Sequence, residues 1–376
     1  MDERPSTLTA REVVEGDCEY IGRHLSEEFP ALGGKHLLIT GGAGFLGYYL
    51  VQSVLHWNRR VPVADRVRLT IYDNYIRGVP AWLRAISGDP SLTLINHDVS
   101  GPLPADIPDF AYIMHAASIA SPTYYRAHPI ETMDANVQGL RTLLEYFRRQ
   151  KERNRSLGGL LFFSSSEIYG DPAPQYVPTP ETYRGNVSCT GPRACYDEAK
   201  RFGETLCVNF ARHYELPIKI CRPFNNYGPG LKISDRRVIP DFARDILAGR
   251  DIVLFSDGSP TRTFCYVADA VVGYYKVLVR GLSGEAYNIG VEEPEISIGD
   301  LAERLAQLAG ALFGRTPKVI RHASPDQNYL ADSPNRRRPM IAKARVDLGY
   351  DPTIALDEGL RRSLIWYTQQ PNAEDA

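Results

Sequence analysis

A tyrosine and a lysine four residues apart, Tyr196 and Lys200, are spaced so that a helix would place them on one face. Beside a nicotinamide this pair has a specific use. The ammonium lowers the pKa of the phenol, and the tyrosinate takes a hydroxyl proton while the cofactor takes hydride from the same carbon. The same spacing also arises by chance on amphipathic helices, so the pair predicts proton transfer only if the chain supplies a cofactor site.

An apolar run that ends in three serines and a glutamate precedes this pair, in the segment Leu161–Gly170 (LFFSSSEIYG). We expect Ser165 or Ser166 to donate a hydrogen bond to the same substrate oxygen as Tyr196. Glu167 would stand at the carboxyl end of a buried strand, where a carboxylate is costly unless it is paired or takes part in chemistry. We therefore interpret Glu167 as a site residue.

A strand, a glycine-rich turn and a helix follow one another between Lys35 and His56. Glycines let the backbone turn tightly and approach a pyrophosphate, whose charge is met by the N–H groups at the helix N-terminus. The spacing is G-x-x-G-x-x-G, and a tight turn alone would also select glycine, but here both flanking elements are present. The turn predicts a dinucleotide site with contacts from Gly41, Gly44, Phe45, Leu46 and Gly47.

Two further strands end in acids that could hold the adenosine part of the cofactor. Asp73 is placed to bind the ribose hydroxyls and favours NAD over NADP, because a carboxylate would repel a 2′-phosphate. Arg77 weakens this preference, although a solvated surface charge is its simpler role. Asp98 suits the adenine edge. The other expected cofactor contacts are Asn74, Val99, Ala116, Ala117, Tyr196 and Lys200.

Strands and helices alternate from residue 34 to residue 224, which predicts an α/β fold with a Rossmann-like, doubly wound parallel sheet. The chain has 376 residues and is therefore longer than the about 250–300 residues at which a single hydrophobic core stops growing. We expect an NAD-binding domain at 34–224, to which 263–290 return, and a smaller interleaved C-terminal lobe that binds substrate. That lobe comprises residues 225–262 and 291–370.

Three local patterns lie outside this alternation. Residues 1–33 predict an N-terminal helical extension, with a capping box at Thr9-x-x-Glu12 and a helix up to Pro30. Residues 252–267 (IVLFSDGSPTRTFCYV) resemble a hairpin. The last third of the chain predicts one helix, near Ile298–Gly310.

Composition excludes several classes of partner. The 43 Lys+Arg and 45 Asp+Glu give a formal charge of −2, so neither nucleic acid nor a membrane surface is expected as a partner. The six cysteines have no metal-binding spacing and are interpreted as reduced, small buried hydrophobes, with no metal. The acidic start lacks the signal-peptide pattern, and no run of about 18 apolar residues occurs, so we expect a cytoplasmic protein.

The segments TGGAGFLG, SSSEIYG, GPRACYDEAKR and TRTFCYV resemble the extended short-chain dehydrogenase/reductase family of nucleotide-sugar enzymes over roughly residues 35–367. Within that family they are similar to the decarboxylases that convert UDP-glucuronate into UDP-xylose. The resemblance implies bound NAD, a UDP-sugar substrate and a homodimer whose interface bundle includes the Tyr196/Lys200 helix. It also implies C4 oxidation, loss of CO₂ from the β-keto acid, and re-reduction.

The resemblance assigns further roles to residues of this chain. Glu167 and Arg262 match the catalytic glutamate and arginine, whereas Ser165 stands where threonine is usual. That departure leads us to expect some release of UDP-4-keto-pentose. The substrate contacts it implies are Pro122, Tyr125, Arg126, Glu167, Asn226, Arg237, Arg262, Tyr266 and Arg337.

Other functions remain open at this point. A sugar-nucleotide 4,6-dehydratase needs an acid next to the glutamate, and this chain has Ser166 there. A 4-epimerase would use the same Tyr196 and Lys200 but has no evident need for Glu167. From another class, the chain could be a catalytically idle regulatory protein that keeps NAD as a structural ligand.

Overall fold

The computed structural model of the protein describes residues 8–322 and 334–369. Seven parallel strands form the central sheet, in the order β11-β6-β5-β4-β1-β2-β3. The strands are β1 (His36–Thr40), β2 (Arg68–Asp73), β3 (Leu92–Asn96), β4 (Tyr112–His115), β5 (Gly159–Phe163), β6 (Ile218–Pro223), β7 (Asn226–Tyr227), β8 (Ile252–Leu254), β9 (Thr261–Arg262), β10 (Cys265–Tyr266), β11 (Ala286–Ile289), β12 (Ile296–Ser297), β13 (Val319–Arg321) and β14 (Arg336–Arg337).

Helices cover both faces of this sheet. They are α1 (Ala10–His24), α2 (Glu28–Leu32), α3 (Phe45–Asn58), α4 (Ala81–Ile86), α5 (Pro122–Ala127), α6 (Pro129–Asp134), α7 (Leu140–Glu152), α8 (Ala194–Tyr214), α9 (Val238–Leu247), α10 (Val267–Arg280), α11 (Ile298–Phe313), α12 (Ala342–Leu348) and α13 (Leu356–Tyr367). Because side chains alternate along a strand, Leu37 and Ile39 pack in the core layer with α3 and α10, whereas Leu38 packs with α7 and α8. The doubly wound α/β fold is therefore confirmed.

The N-terminal segment forms α1, which begins with the expected capping box between Thr9 and Glu12. The helix ends at His24 rather than near Pro30, and the short α2 follows. α1 packs against α3, α10 and α13. Its Asp17 is completely buried and accepts hydrogen bonds from Tyr49, Tyr266 and Arg362 at 2.5, 2.6 and 2.6 Å. The segment is thus built into the main core.

Three expectations for local structure were wrong. Strands β8, β9 and β10 are two or three residues long and do not form a hairpin. Instead, β8 pairs with β13, β9 pairs with both β12 and β14, and β10 pairs with β7. The last third of the chain contains α10, α12 and α13 besides α11. Cys189 is exposed and Cys195 is partly exposed, whereas the other four cysteines are buried. Across the described ranges, no helix combines the length and apolarity needed to span a membrane.

Candidate active site

The carboxyl ends of the central strands open into a cleft of about 860 Å³. Such a cleft is where parallel α/β sheets bind ligands. Most residues expected at a cofactor or substrate line it. They are Gly41, Gly44, Phe45, Leu46, Asp73, Asn74, Asp98, Val99, Ala116, Ala117, Pro122, Tyr125, Arg126, Ser165, Ser166, Glu167, Tyr196, Lys200, Asn226, Arg237, Arg262 and Arg337.

Two expected contacts do not line the cleft. A Cβ at Gly47 would lie 2.1 Å from the carbonyl oxygen of Gly42, so this glycine lets α3 pack closely on the turn. Tyr266 is buried, and its hydroxyl donates to Asp17 in α1 at 2.6 Å. The expectation that Tyr266 contacts substrate is corrected: its hydroxyl joins the core around α1.

The glycine turn has the shape that a dinucleotide requires. Gly41 has φ +73°, and a Cβ there would lie 2.6 Å from the Cα of Ala117, so no larger residue fits. Gly44 precedes α3 without a side-chain cap, which leaves the first N–H groups of the helix for a pyrophosphate. Asp73 ends β2 and accepts from the backbone N–H groups of Ala43 and Tyr75 at 2.9 and 2.8 Å. These residues fit NAD.

Tyr196 and Lys200 lie in the first two turns of α8, and both are buried. The Nζ of Lys200 donates to the carbonyl of Phe163 at 2.6 Å and stands 5.6 Å from the centroid of the Tyr196 ring. Burial lowers the pKa of Lys200 to about 7. Burial raises the pKa of Tyr196 to about 12, while a hydrogen bond with Ser165 opposes this rise. The charge of Glu167 adds to the effect of burial on the phenol pKa, whereas the charge of Arg237 adds to that of Ser165; the lowering by Lys200 stays a prediction.

A second tyrosine covers the first. The rings of Tyr125 and Tyr196 are stacked, with centroids 5.2 Å apart and 15° between their planes. The Tyr125 hydroxyl is buried and has no hydrogen-bond partner among the described residues. A buried, unpaired hydroxyl is costly, which is typical of a group kept for a ligand.

Glu167 lies inside a group of three arginines. Arg193 and Arg337 both donate to its Oε2, the latter at 2.5 Å. Burial alone would raise the pKa of Glu167, but the charges of Arg193, Arg337 and Arg262 outweigh burial and lower it to about 2. Glu167 is therefore ionised throughout the neutral range, and the three arginines outnumber Glu167 and Asp197, whose Oδ2 lies 3.8 Å from Arg193.

Two of these arginines lie side by side, because β14 pairs with β9 in a register that places Arg337 opposite Arg262. The guanidinium of Arg262 donates to the carbonyls of Thr261, Asn335 and Pro334 at 2.8, 3.1 and 2.5 Å. Burial and the charge of Arg337 lower the pKa of Arg262 to about 9. Arg262 is thus held by backbone oxygens at the wall of the cleft.

Sequence reasoning missed Arg193, although it lies three residues before Tyr196 in GPRACYDEAKR. The spacing carried a usable signal, because positions i and i+3 share one helix face. Arg77 was interpreted as a surface charge. In the structure it lines the cleft, pairs with Asp235 at 2.5 Å and lies over the ring of Tyr124 at 4.3 Å.

The outer part of the cleft carries further cations and amides. Arg237 pairs with Asp235 at 2.9 Å and donates to the carbonyl of Ala120 at 3.2 Å. Asn226 donates to Tyr274, while its buried Oδ1 has no partner within the described ranges. Guanidinium groups suit the phosphates of a nucleotide, so this region matches the nucleotide half of an anionic substrate.

A parallel sheet with a glycine turn, and with serine, tyrosine and lysine grouped at its strand ends, defines a nicotinamide-dependent enzyme of the short-chain dehydrogenase type. Residues 37–290 match the model of the NAD dependent epimerase/dehydratase family. The chain belongs to this family.

Two similar proteins carry the same activity in their names. UDP-glucuronic acid decarboxylase 3 of Arabidopsis thaliana is 36% identical over 324 residues, which cover 86% of each chain. UDP-glucuronic acid decarboxylase 1 of Xenopus tropicalis is 34% identical over 336 residues, which cover 89% of this chain and 73% of the relative.

Solved structures of similar fold include other nucleotide-sugar enzymes. The dTDP-glucose 4,6-dehydratase DesIV of Streptomyces venezuelae, a double mutant with NAD bound, has a TM-score of 0.74 and 26% identity, covering 89% of this chain and 97% of DesIV. The UDP-glucuronic acid 4-epimerase of Bacillus cereus has a TM-score of 0.71 and 23% identity, covering 89% and 99%. The second likeness concerns the fold alone.

Proposed function

We propose that the protein is an NAD-dependent UDP-glucuronate decarboxylase that forms UDP-xylose and releases a fraction of UDP-4-keto-pentose. The observation that carries the proposal is the group of Arg193, Arg262 and Arg337 around Glu167, next to Tyr196 in the cofactor cleft. A net positive charge beside the reacting position suits a sugar that carries a carboxylate. The names of the relatives support the same substrate.

The residues have distinct tasks in this reaction. The turn at Gly41–Gly44 and Asp73 would hold NAD, which supplies a hydride acceptor and donor for C4 of the sugar. Tyr196, acting as the tyrosinate, takes the proton of the C4 hydroxyl, and Ser165 orients the same oxygen by a hydrogen bond. Once C4 is a ketone, the electrons of the C5–C6 bond move onto its oxygen as CO₂ leaves. The hydroxyls of Tyr196 and Ser165 stabilise that charge. Protonation at C5 and return of the hydride to C4 would then give UDP-xylose, and release before the hydride returns would give UDP-4-keto-pentose.

Two other activities make different demands on this site. A 4,6-dehydratase must protonate a departing C6 hydroxyl, and the residue before Glu167 is Ser166, which is a poor acid. A 4-epimerase acting on UDP-glucuronate would also benefit from the arginines. It is the second candidate, because the cationic group alone does not distinguish retention of the carboxylate from its loss.

The deciding experiment is incubation of the purified protein with UDP-glucuronate and NAD, followed by measurement of CO₂ and of product mass. We expect CO₂ together with UDP-xylose and a minor 4-keto-pentose product. A product of unchanged mass without CO₂ would identify an epimerase, and absence of any product would indicate the idle binding protein.

Glu167→Gln tests the decarboxylation step. The variant keeps the shape of the side chain but removes the charge that orders Arg193 and Arg337, so we expect CO₂ release to fall by about 10²-fold or more, with a much smaller change in UDP-xylose binding. Glu198→Gln is the matched control, because Glu198 also lies near Tyr196 in α8 but is 40% exposed and pairs with Arg201. Equal losses of CO₂ release and binding would make Glu167 a packing residue.

We also propose that the protein is a homodimer that pairs through α6 and α8. These helices pack together and expose apolar side chains: Ile130 and Met133 on α6 are 59% and 36% exposed, and Phe202 on α8 is 49% exposed. Light scattering on the wild type and on Phe202→Glu measures the mass. A monomeric wild type would contradict this proposal.

A further inference from the structure

We propose that Arg193 is the receptor for the carboxylate of the substrate, and that it exchanges its contact with Glu167 for a contact with the sugar. The inference rests on the proposed function and adds a specificity-determining residue to it. It is based on the position of Arg193 at the N-cap of α8, on its Nε donor that has no hydrogen-bond partner within the described ranges, and on the Glu167 oxygen that it shares with Arg337.

The first argument is position. Arg193 is the N-cap residue of α8, three residues before Tyr196, and its charge opposes the burial that raises the pKa of Tyr125, whose ring is stacked on Tyr196. The C4 hydroxyl of the sugar must reach the Tyr196 hydroxyl. Because the carboxyl group is attached to C5, the neighbour of C4, it must lie beside the same phenol. A cation one turn away is therefore within reach of the carboxylate.

The second argument is donor capacity. A guanidinium has five N–H groups in a fork that matches both oxygens of a carboxylate. Arg193 donates through Nη2 to Glu167, whereas its buried Nε has no hydrogen-bond partner within the described ranges and lies 3.8 Å from Asp197 Oδ2. A buried donor without a partner is costly, and an incoming carboxylate would satisfy it.

The third argument is that the negative charge of Glu167 stays compensated when Arg193 breaks its contact with Glu167. Arg193 and Arg337 donate to the same oxygen, Oε2, so Arg337 continues to hold the glutamate at 2.5 Å. Arg337 itself is anchored beside Asn225, at 3.5 Å, and pairs through its strand with Arg262. One carboxylate thus replaces another at Arg193, while the charge of Glu167 remains compensated.

This role predicts a separation of KM from kcat. The carboxylate leaves as neutral CO₂, and its charge moves to the oxygen at C4, so an arginine at the carboxylate stabilises the bound substrate more than the transition state. Loss of Arg193 should therefore raise KM for UDP-glucuronate strongly and leave kcat unchanged or higher. A residue that only supported the fold would not produce this pattern.

The test compares two ligands that differ in the carboxylate, UDP-glucuronate and UDP-xylose. Both affinities are measured by calorimetry on the NAD-bound protein, in a Tyr196→Phe background that slows turnover. The variants are Arg193→Met, Arg193→Lys and the control Arg212→Met, since Arg212 is an exposed residue of α8. For Arg193→Met we expect UDP-glucuronate affinity to fall by roughly 10–100-fold and UDP-xylose affinity by less than about threefold. Arg193→Lys should recover part of the loss.

Several outcomes would overturn the inference. They are equal losses for both ligands, an unchanged affinity for UDP-glucuronate, and a selective loss in Arg337→Met but not in Arg193→Met. Recovery of UDP-glucuronate binding in the double variant Arg193→Met/Glu167→Gln would also overturn it, because Arg193 would then serve only to neutralise Glu167. Failure of the proposed function is a separate result, since it appears as a wild-type protein that releases no CO₂.

Discussion

Replacement of Asp17 by alanine should destabilise the whole protein, although Asp17 lies far along the chain from the residues of the cleft. Its carboxylate is completely buried and joins three elements: Tyr49 of α3, Tyr266 of β10 and Arg362 of α13, with donor–acceptor distances of 2.5, 2.6 and 2.6 Å. Asp17→Ala leaves two phenols and one guanidinium without this acceptor.

The size of the effect follows from those contacts. Removing one partner of a buried ion pair costs about 3–5 kcal/mol, and each phenol left unpaired would add about 1–3 kcal/mol. Two facts reduce the sum: Arg362 also pairs with Glu358 at 2.6 Å, and burial raises the pKa of Asp17 despite its donors, so desolvation offsets part of the gain. We take about 4 kcal/mol as the result. With an unfolding entropy of about 2.1 cal/mol/K for each of the 376 residues, Tm should fall by about 5 °C.

Calorimetry at one scan rate on Asp17→Ala and Glu19→Ala measures this difference. Glu19 lies on the same helix and also pairs with an arginine, Arg60, at 3.4 Å, but the two side chains are 55% and 51% exposed. Such a pair contributes about 0–1 kcal/mol, so Glu19→Ala should lower Tm by about 1 °C or less. A fall for Asp17→Ala no larger than that of Glu19→Ala would refute the reasoning.

Two further predictions concern Tyr196 and Lys200. Tyr196→Phe should lower turnover by about 10²–10⁴-fold while nucleotide-sugar binding persists, as steady-state kinetics and calorimetry would measure; near-normal turnover would remove Tyr196 from the mechanism. The pKa of Lys200 is about 7 in the folded protein, whereas its ordinary value is 10.5. Between these two pH values the unfolded chain binds more protons than the folded protein. The stability of the wild type should therefore rise with pH across that window. Lys200→Met should therefore be the more stable protein below about pH 7, by up to a few kcal/mol, and lose that advantage as pH rises to about 10.5. Urea unfolding at the two ends of the window would measure this, and a difference independent of pH would contradict it.

The parts of the site that depend on local pattern could be predicted from the sequence. The strand before Gly41, the acid at the end of β2 and the four-residue spacing of Tyr196 and Lys200 are each local, and the parallel sheet then brings them to one edge. The doubly wound parallel sheet followed from the same alternation of apolar strands and amphipathic helices.

The parts that depend on distant contacts could not be predicted. Tyr266 belongs to the TRTFCYV motif, for which the sequence predicts a substrate contact. Its hydroxyl instead donates to Asp17, in the segment that the sequence predicts to be an N-terminal extension. Arg193 precedes a helix, where a solvated charge is the simplest interpretation, and only the fold shows that Glu167 faces it. Strands of two or three residues, such as β9, are too short to show a periodic pattern, so their pairing is set by tertiary contacts.

The edge strand of the central sheet has a consequence for biosynthesis. β11 (Ala286–Ile289) pairs with β6, which ends at Pro223, so more than sixty intervening residues leave the ribosome before the sheet is complete. α1 in turn packs against α13, whose last residue is Tyr367. A nascent chain that ends at residue 224 therefore lacks the last strand of the sheet and two of the three helices that pack against α1, namely α10 and α13. Such a topology is expected to fold slowly, with its early-made apolar surfaces in need of protection until the last helix has emerged.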